Sequence, residues 1–124
     1  MRHCILLASL IGLAAAAPAQ PAAASSLAPT VKKDVQCFLL YAAAAGDTKD
    51  EKVRQAGGFG TMYYLGKLDV AAPGLNIVEA VRAEAKALEG NPTAKEIGTS
   101  CDSEFGKRGA ELMKIGEELQ ETKP

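Results

Sequence analysis

The chain has 124 residues, 48% of them apolar and 23% charged, with a formal net charge of −1. That length makes one domain, and a balance of charge without clustered Lys and Arg excludes a nucleic-acid surface. There is no tryptophan, and His3 is the only histidine, so Ser-His, Cys-His and mixed His/carboxylate chemistry must draw on one residue at the extreme N-terminus.

The first element is a leader. Residues 1–24 read as a basic n-region, the apolar run ILLASLIGLAAAA, and a Pro- and Ala-rich zone, the layout of a secretory signal peptide. Cleavage is expected after Ala19 or Ala24. The apolar run falls short of the about 20 residues of a membrane helix, which weighs against an uncleaved N-terminal anchor. Cys4 lies ahead of the h-region, not at its end where a lipoprotein cysteine belongs. No later segment could span a bilayer, so the reading is a periplasmic or secreted protein with no stable membrane span after signal cleavage. Removing the leader takes away Arg2, His3 and Cys4. Thirteen basic residues then face fifteen acidic ones, a net charge of −2, and no histidine remains.

Residues 25–30 are small and polar and are expected to be flexible. Residues 31–124 are expected to form the helical domain. The first helix opens on Thr30 as N-cap and closes at Gly46 as C′ residue. Val31, Val35, Phe38, Ala42 and Ala45 recur at helical spacing, while Cys37, Leu40 and Tyr41 are apolar on other sides. A helix apolar most of the way round is a central one.

The second helix opens at Thr48, where Thr48-Lys49-Asp50-Glu51 matches the capping box. Val53, Ala56, Phe59, Gly60, Tyr63, Gly66 and Val70 follow one face up to a turn at Pro73-Gly74. The third starts from Asn76 with Glu79 three residues on, carries Ile77, Ala80, Val81, Ala85 and Leu88 as its stripe, and stops at Gly90-Asn91-Pro92. The fourth starts at Asn91 or Thr93, where Thr93 to Glu96 forms another capping box. Its face is Ile97, Cys101, Phe105, Leu112, Ile115 and Leu119, and a break near GTSCDS would divide it into two. The sum is an all-α, four-helix bundle-like single domain.

With Cys4 gone, Cys37 and Cys101 remain. In an oxidising compartment two cysteines pair most simply with each other. The bridge closes a loop of about 65 residues and stabilises by about 4 kcal/mol on the chain-entropy account. A redox-active role would want the C-x-x-C spacing that these two lack.

The stretch GGFGTMYYLGKLD, Gly57 to Asp69, holds four of the twelve glycines and two of the three tyrosines. It fails as a dinucleotide fingerprint, because Tyr63 stands where the third glycine belongs. It fails as a P-loop, because Thr61 and Leu68 occupy the positions of the first glycine and the Ser/Thr. The helical reading makes Gly60 and Gly66 packing residues, joined by Gly98, Gly109 and Gly116 along the fourth helix, each costing up to about 1 kcal/mol against alanine. Tyr63, Tyr64 and Lys67 form a candidate binding patch, amphipathic aromatics beside a cation.

Cys37, the run Tyr63-Tyr64-Leu65-Gly66-Lys67, Cys101, and Gly109 and Gly116 carry a resemblance. The chain resembles small secreted proteins of alphaproteobacteria that hold a Tyr-Leu-Gly-Arg/Lys segment between two cysteines, followed by a Gly-rich amphipathic helix. The likeness spans about Val35 to Leu119 and implies an exported helical fold without implying an activity. In architecture alone the chain is similar to the HdeA-type periplasmic acid chaperones, which are small, all-helical and bridged by one disulfide. Its cysteines stand further apart, and fold does not imply function.

The function expected from these residues is a non-enzymatic interaction module, chaperone-like or inhibitor-like, whose partner is another exported protein. The alternative is a binder of a small apolar or amphipathic ligand held between helices, with Tyr41, Tyr63 or Tyr64 as polar handles. Carboxylate pairs such as Asp102 with Glu104, or Glu117 with Glu118, read as exposed helix charges, and no loop has regular ligand spacing for a metal. No cofactor is expected.

Overall fold

The computed structural model describes residues 26–47 and 49–122; the expected signal peptide, both cleavage positions, Ser25 and Thr48 lie outside them. Four helices follow in order, α1 (Pro29–Asp47), α2 (Glu51–Ala71), α3 (Ile77–Leu88) and α4 (Ala94–Glu121), with no strand among the described residues. The all-α, bundle-like fold is as expected, and so is its bridge: Cys37 and Cys101 are disulfide-bonded with their Cα atoms 5.5 Å apart.

Several helix ends differ from the sequence reading. Pro29, not a Thr30 cap, opens α1: its fixed φ suits the first helical position and its missing N–H is not needed there. The Lys32 amide donates to the Ala28 carbonyl at 2.9 Å, so Thr30 is already helical, and α1 runs through Gly46 to Asp47. Asp50, two residues past Thr48, caps α2; its carboxylate accepts the amides of Lys52 at 2.9 Å and Val53 at 3.3 Å. Asn76 caps α3 as expected, accepting the Glu79 amide. Gly90 then ends the segment with φ +68°, a conformation that suits a residue without Cβ. The Thr93–Glu96 capping box does not form. Asn91 Oδ1 accepts both the Thr93 amide at 2.9 Å and the Thr93 hydroxyl at 2.8 Å, which removes that hydroxyl from the helix end. Past this point α4 is unbroken through GTSCDS.

α1 is the central helix, as its near-continuous apolar surface implies, and α2, α3 and α4 each pack on it. Two clusters make the core. Val31, Val35 and Leu68 pack with Leu27, Leu75, Ile77, Ala80 and Val81 where α1, α2 and α3 meet. Cys37, Tyr64 and Cys101 pack with Leu40, Tyr41, Ile97 and Phe105 where α1, α2 and α4 meet. Phe38 belongs to both. On α3, Glu84 is buried where Ala85 was expected, and its carboxylate accepts the Gln36 amide at 2.7 Å. A buried polar pair of this kind is tolerated because each partner satisfies the other.

The face that α2 buries is not the one its apolar pattern suggests. Gly57, Gly60, Tyr64 and Leu68 are buried, whereas Phe59, Met62 and Val70 are 69%, 67% and 84% exposed. The reason is steric. A Cβ on Gly57 would stand 2.5 Å from the Ala45 amide nitrogen, and one on Gly60 would stand 2.2 Å from the Tyr41 ring. Only a glycine row lets α1 and α2 approach this closely, so the row with glycines turns inward and the apolar row opposite it turns out.

α4 outruns the core. The pairs Lys33–Glu104, Cys37–Cys101 and Leu40–Gly98 show that it runs antiparallel to α1. In that register Pro29, the start of α1, falls opposite Arg108 or Gly109. The remaining turns of α4 have no part of α1 beside them, and Leu112, Met113, Ile115 and Leu119 are 69%, 70%, 52% and 67% exposed.

Candidate functional site

The residues proposed as a patch, Tyr63, Tyr64 and Lys67, are brought together, but they divide between core and surface. Tyr64 is fully buried against the disulfide cluster. Its hydroxyl donates to the Cys101 carbonyl at 2.9 Å. Its ring stacks on Tyr41 at 5.7 Å between centroids and meets Tyr63 edge-on at 4.9 Å. Burial, followed by the charge of Glu104, pushes the Tyr64 phenol well above its ordinary value. Tyr64 is therefore a packing and anchoring residue, not a surface contact: it sits in the inward row set by Gly57 and Gly60.

Lys67, one turn on, forms the centre of a polar cluster. Its ammonium donates to Asp34 Oδ1 at 2.6 Å and also to Glu104 Oε1, and lies 5.3 Å from the Tyr64 ring centroid and 5.8 Å from that of Tyr63. Burial would lower the Lys67 pKa, but the hydrogen bonds to Asp34 and Glu104 outweigh it and hold the pKa above its usual value. Glu104 responds in the opposite sense: burial would raise it, and hydrogen bonds from Lys67 and Lys33 hold it below the usual carboxylate range. Lys33 reaches Glu104 at 3.3 Å, and the half-buried Tyr63 donates its hydroxyl to Glu104 at 3.3 Å. Three helices thus meet through one lysine: Asp34 from α1, Lys67 from α2 and Glu104 from α4.

The other tyrosine is committed as well, to a carboxylate of α4. Tyr41 donates to Asp102 at 2.7 Å, and burial followed by that carboxylate raises its phenol. Of Asp102 and Glu104, read from the sequence as exposed helix charges, Asp102 is exposed and Glu104 half-buried, and each accepts a tyrosine hydroxyl. Glu117 and Glu118 are exposed, the latter 3.9 Å from Lys114. No buried side-chain polar atom lacks a partner, and no group of three metal-ligating side chains occurs, among the described residues.

The glycines separate as well. Gly60 makes the close approach expected of it, and Gly98 lies within ordinary contact of Leu40 at 3.9 Å. Gly66, Gly109 and Gly116 face open space and bring no helix close. Gly57, which the sequence reading passed over, makes the tightest backbone contact of α2. Its signal was present as Gly57-x-x-Gly60 at helical spacing. Asp34 was also missed; the available signal was a carboxylate next to Val35 on a helix apolar most of the way round, which burial obliges to find a cation.

Three surfaces remain. The outer row of α2 carries Phe59, Met62 and Val70, with Tyr63 and Lys67 at its edge. The far half of α4 carries Leu112, Met113, Ile115 and Leu119. An open cleft of about 280 Å³ beside α3 is lined by Leu27, Leu75, Ala80 and Ala83, with Asn76 and Glu79 at its polar side. Comparison with protein families, with curated proteins and with solved structures finds no match for this chain.

Proposed function

We propose that the protein is an exported, non-enzymatic interaction module of the periplasm or extracellular space, and that the outer face of α2 receives another exported protein. One observation carries the reading: Phe59, Met62 and Val70 are mostly exposed along a single side of α2. Scattered exposed apolar residues are ordinary. Three along one helical row, with a tyrosine and the stem of a lysine at the edge, have the makeup of an interface centre with a polar rim. Lys67 already holds Asp34 and Glu104, so it contributes its methylenes more than its charge. The leader supplies the export address. The disulfide is compatible with it, as is the absence among the described residues of a helix long and apolar enough to cross a membrane.

The test is site-specific photo-crosslinking in the exporting cell, with the probe at Met62 and a control at the exposed Lys86 of α3. The expected result is an adduct with a different exported protein from Met62 and none from Lys86, lost when Phe59→Asp is introduced into a chain that keeps its helical circular dichroism. Equal adducts at both positions, or none at either, would defeat the reading.

The second reading, a binder of a small apolar or amphipathic ligand, has the cleft beside α3 in its favour. Its volume is at the small end for ligand sites. Its polar handles would be Asn76 and Glu79, since Tyr41, Tyr63 and Tyr64 lie in the other cluster. Native mass spectrometry of the exported protein is expected to show a retained small molecule if this holds, and only the bare polypeptide mass if it does not.

A further inference from the structure

We infer that the far half of α4 is a self-association surface, and that its occupant is the same half of α4 from a second copy, packed antiparallel. The contact is separate from the α2 face and stands or falls without it.

The argument starts from one continuous row. Ile97, Cys101 and Phe105 pack into the disulfide cluster, and the same side of the helix continues through Arg108 to Leu112, Ile115 and Leu119, which stand exposed. The spacing of three, four, three and four from Phe105 is the heptad seam by which one helix recognises another. Inside the molecule α1 and α2 cover the first part of that seam; beyond Arg108 nothing in the described fold does. Gly109 and Gly116, seven apart, flank the exposed part, and each has open space where a Cβ would be. They leave room for a neighbouring backbone to come close, which explains why glycines costly to the helix stand where the core does not use them.

Charge selects the occupant and its direction. Residues 107–114 hold three cations, Lys107, Arg108 and Lys114, against one carboxylate, Glu111. Residues 115–121 hold three carboxylates, Glu117, Glu118 and Glu121, and no cation. A helix that is basic at one end and acidic at the other is complementary to itself only when reversed. A parallel pair would set like ends together. An antiparallel pair has the two-fold symmetry of an isologous dimer, in which the basic end of each copy meets the acidic end of the other. Layering Leu112 on the second copy's Ile115, and Ile115 on its Leu112, sets Arg108 beside the second copy's Leu119 and near its Glu118. The ion pairs these charges now make, Arg108 with Glu111 and Lys114 with Glu118, are local and exposed, and such pairs hold side chains only weakly.

The interface is short, so the dimer belongs to the weak, transient class. The test is sedimentation equilibrium of the mature exported protein over the micromolar-to-millimolar range, with four variants. Wild type is expected to move from monomer to dimer, with the transition weakened at high salt. Leu112→Asp/Ile115→Asp is expected to stay monomeric, while Phe59→Asp/Met62→Asp dimerises as wild type does. Lys107→Glu/Arg108→Glu and Glu117→Lys/Glu118→Lys are each expected to be monomeric alone and to form a mixed dimer when combined in equal amounts. That rescue is the readout that a merely frayed helix cannot give. A wild type monomeric throughout, a dimer that survives Leu112→Asp/Ile115→Asp, a dimer lost with the α2 variant, or a failure of the two charge variants to combine would each overturn the inference.

Discussion

Tyr64 and Lys67 lie three residues apart on one helix and serve different ends. Tyr64 fills the space beside the disulfide. Tyr64→Ala is expected to cost about 3–5 kcal/mol, the range for a large buried aromatic. Tyr64→Phe, which loses only the bond to the Cys101 carbonyl, should cost about 1 kcal/mol; urea unfolding of the two variants separates packing from hydrogen bonding. Lys67→Met leaves the buried Asp34 and the half-buried Glu104 without their shared cation. Because the lysine side chain is about one-third exposed, the loss is expected to be about 1–2 kcal/mol, below that of a fully buried pair. The same cluster sets a pH dependence. Glu104 has a folded pKa below its unfolded one. Its contribution is therefore present above the ordinary carboxylate pKa and lost as pH falls through the depressed value. Lys67 has a folded pKa above its unfolded one. Its contribution is complete below the ordinary lysine pKa and is lost as pH rises through the elevated value. Stability measured against pH should fall at both extremes, and Lys67→Met should flatten both limbs.

At the scale of the helices, glycine has two opposite meanings here, and substitution distinguishes them. Gly57→Ala would place its methyl 2.5 Å from the Ala45 amide nitrogen. The clash is with backbone, which cannot turn aside as a side chain can, so α1 and α2 must separate; a loss of about 2–3 kcal/mol is expected, as for overpacking. Gly66→Ala meets open space and is expected to raise stability by up to about 1 kcal/mol through helix propensity. Thermal unfolding of the two variants, with shifts of opposite sign, is the check. Helical spacing showed that α2 is a helix, but it could not say which side faces in. Two apolar rows compete, Gly57, Gly60, Tyr64 and Leu68 against Phe59, Met62 and Val70, and the row without glycines loses. Steric access decided the matter, because the glycine row allows α1 to approach closely and Tyr64 and Leu68 then complete that side. For the same reason Tyr64 is buried while Tyr63 and Lys67, its neighbours in the sequence-proposed patch, stay at the surface edge.

For the whole molecule, α4 is tied to the rest by its first half alone, through the disulfide, the aromatic cluster and the Lys67 ion pairs. Replacing both Cys37 and Cys101 with alanine is expected to cost up to about 4 kcal/mol, by releasing a loop with a sequence separation of 64 in the unfolded chain. The loss should appear as local release before global unfolding. Hydrogen exchange is expected to quicken first in α4, while amides at the α1–α2–α3 contact keep their protection. If all four helices lost protection together, the bridge would be holding the whole fold and not one helix.

The sequence by itself determined the helices, their number and order, and the disulfide. These follow from short-range rules, 3.6-residue periodicity, Gly and Pro punctuation, and the two cysteines that are left when Cys4 is assigned to the expected leader. Helix starts were less legible where several capping residues stand together: Asp50 was read past in favour of Thr48, and Asn91 takes up the hydroxyl that Thr93 would have needed as a cap. Only the tertiary structure decided which row of α2 is buried, that Asp34 and Glu104 share Lys67, and where α4 leaves the core. Each depends on groups far apart in the chain meeting within a few ångströms, and on lengths measured against one another. α1 begins opposite the middle of α4, and no local pattern in either helix records that difference.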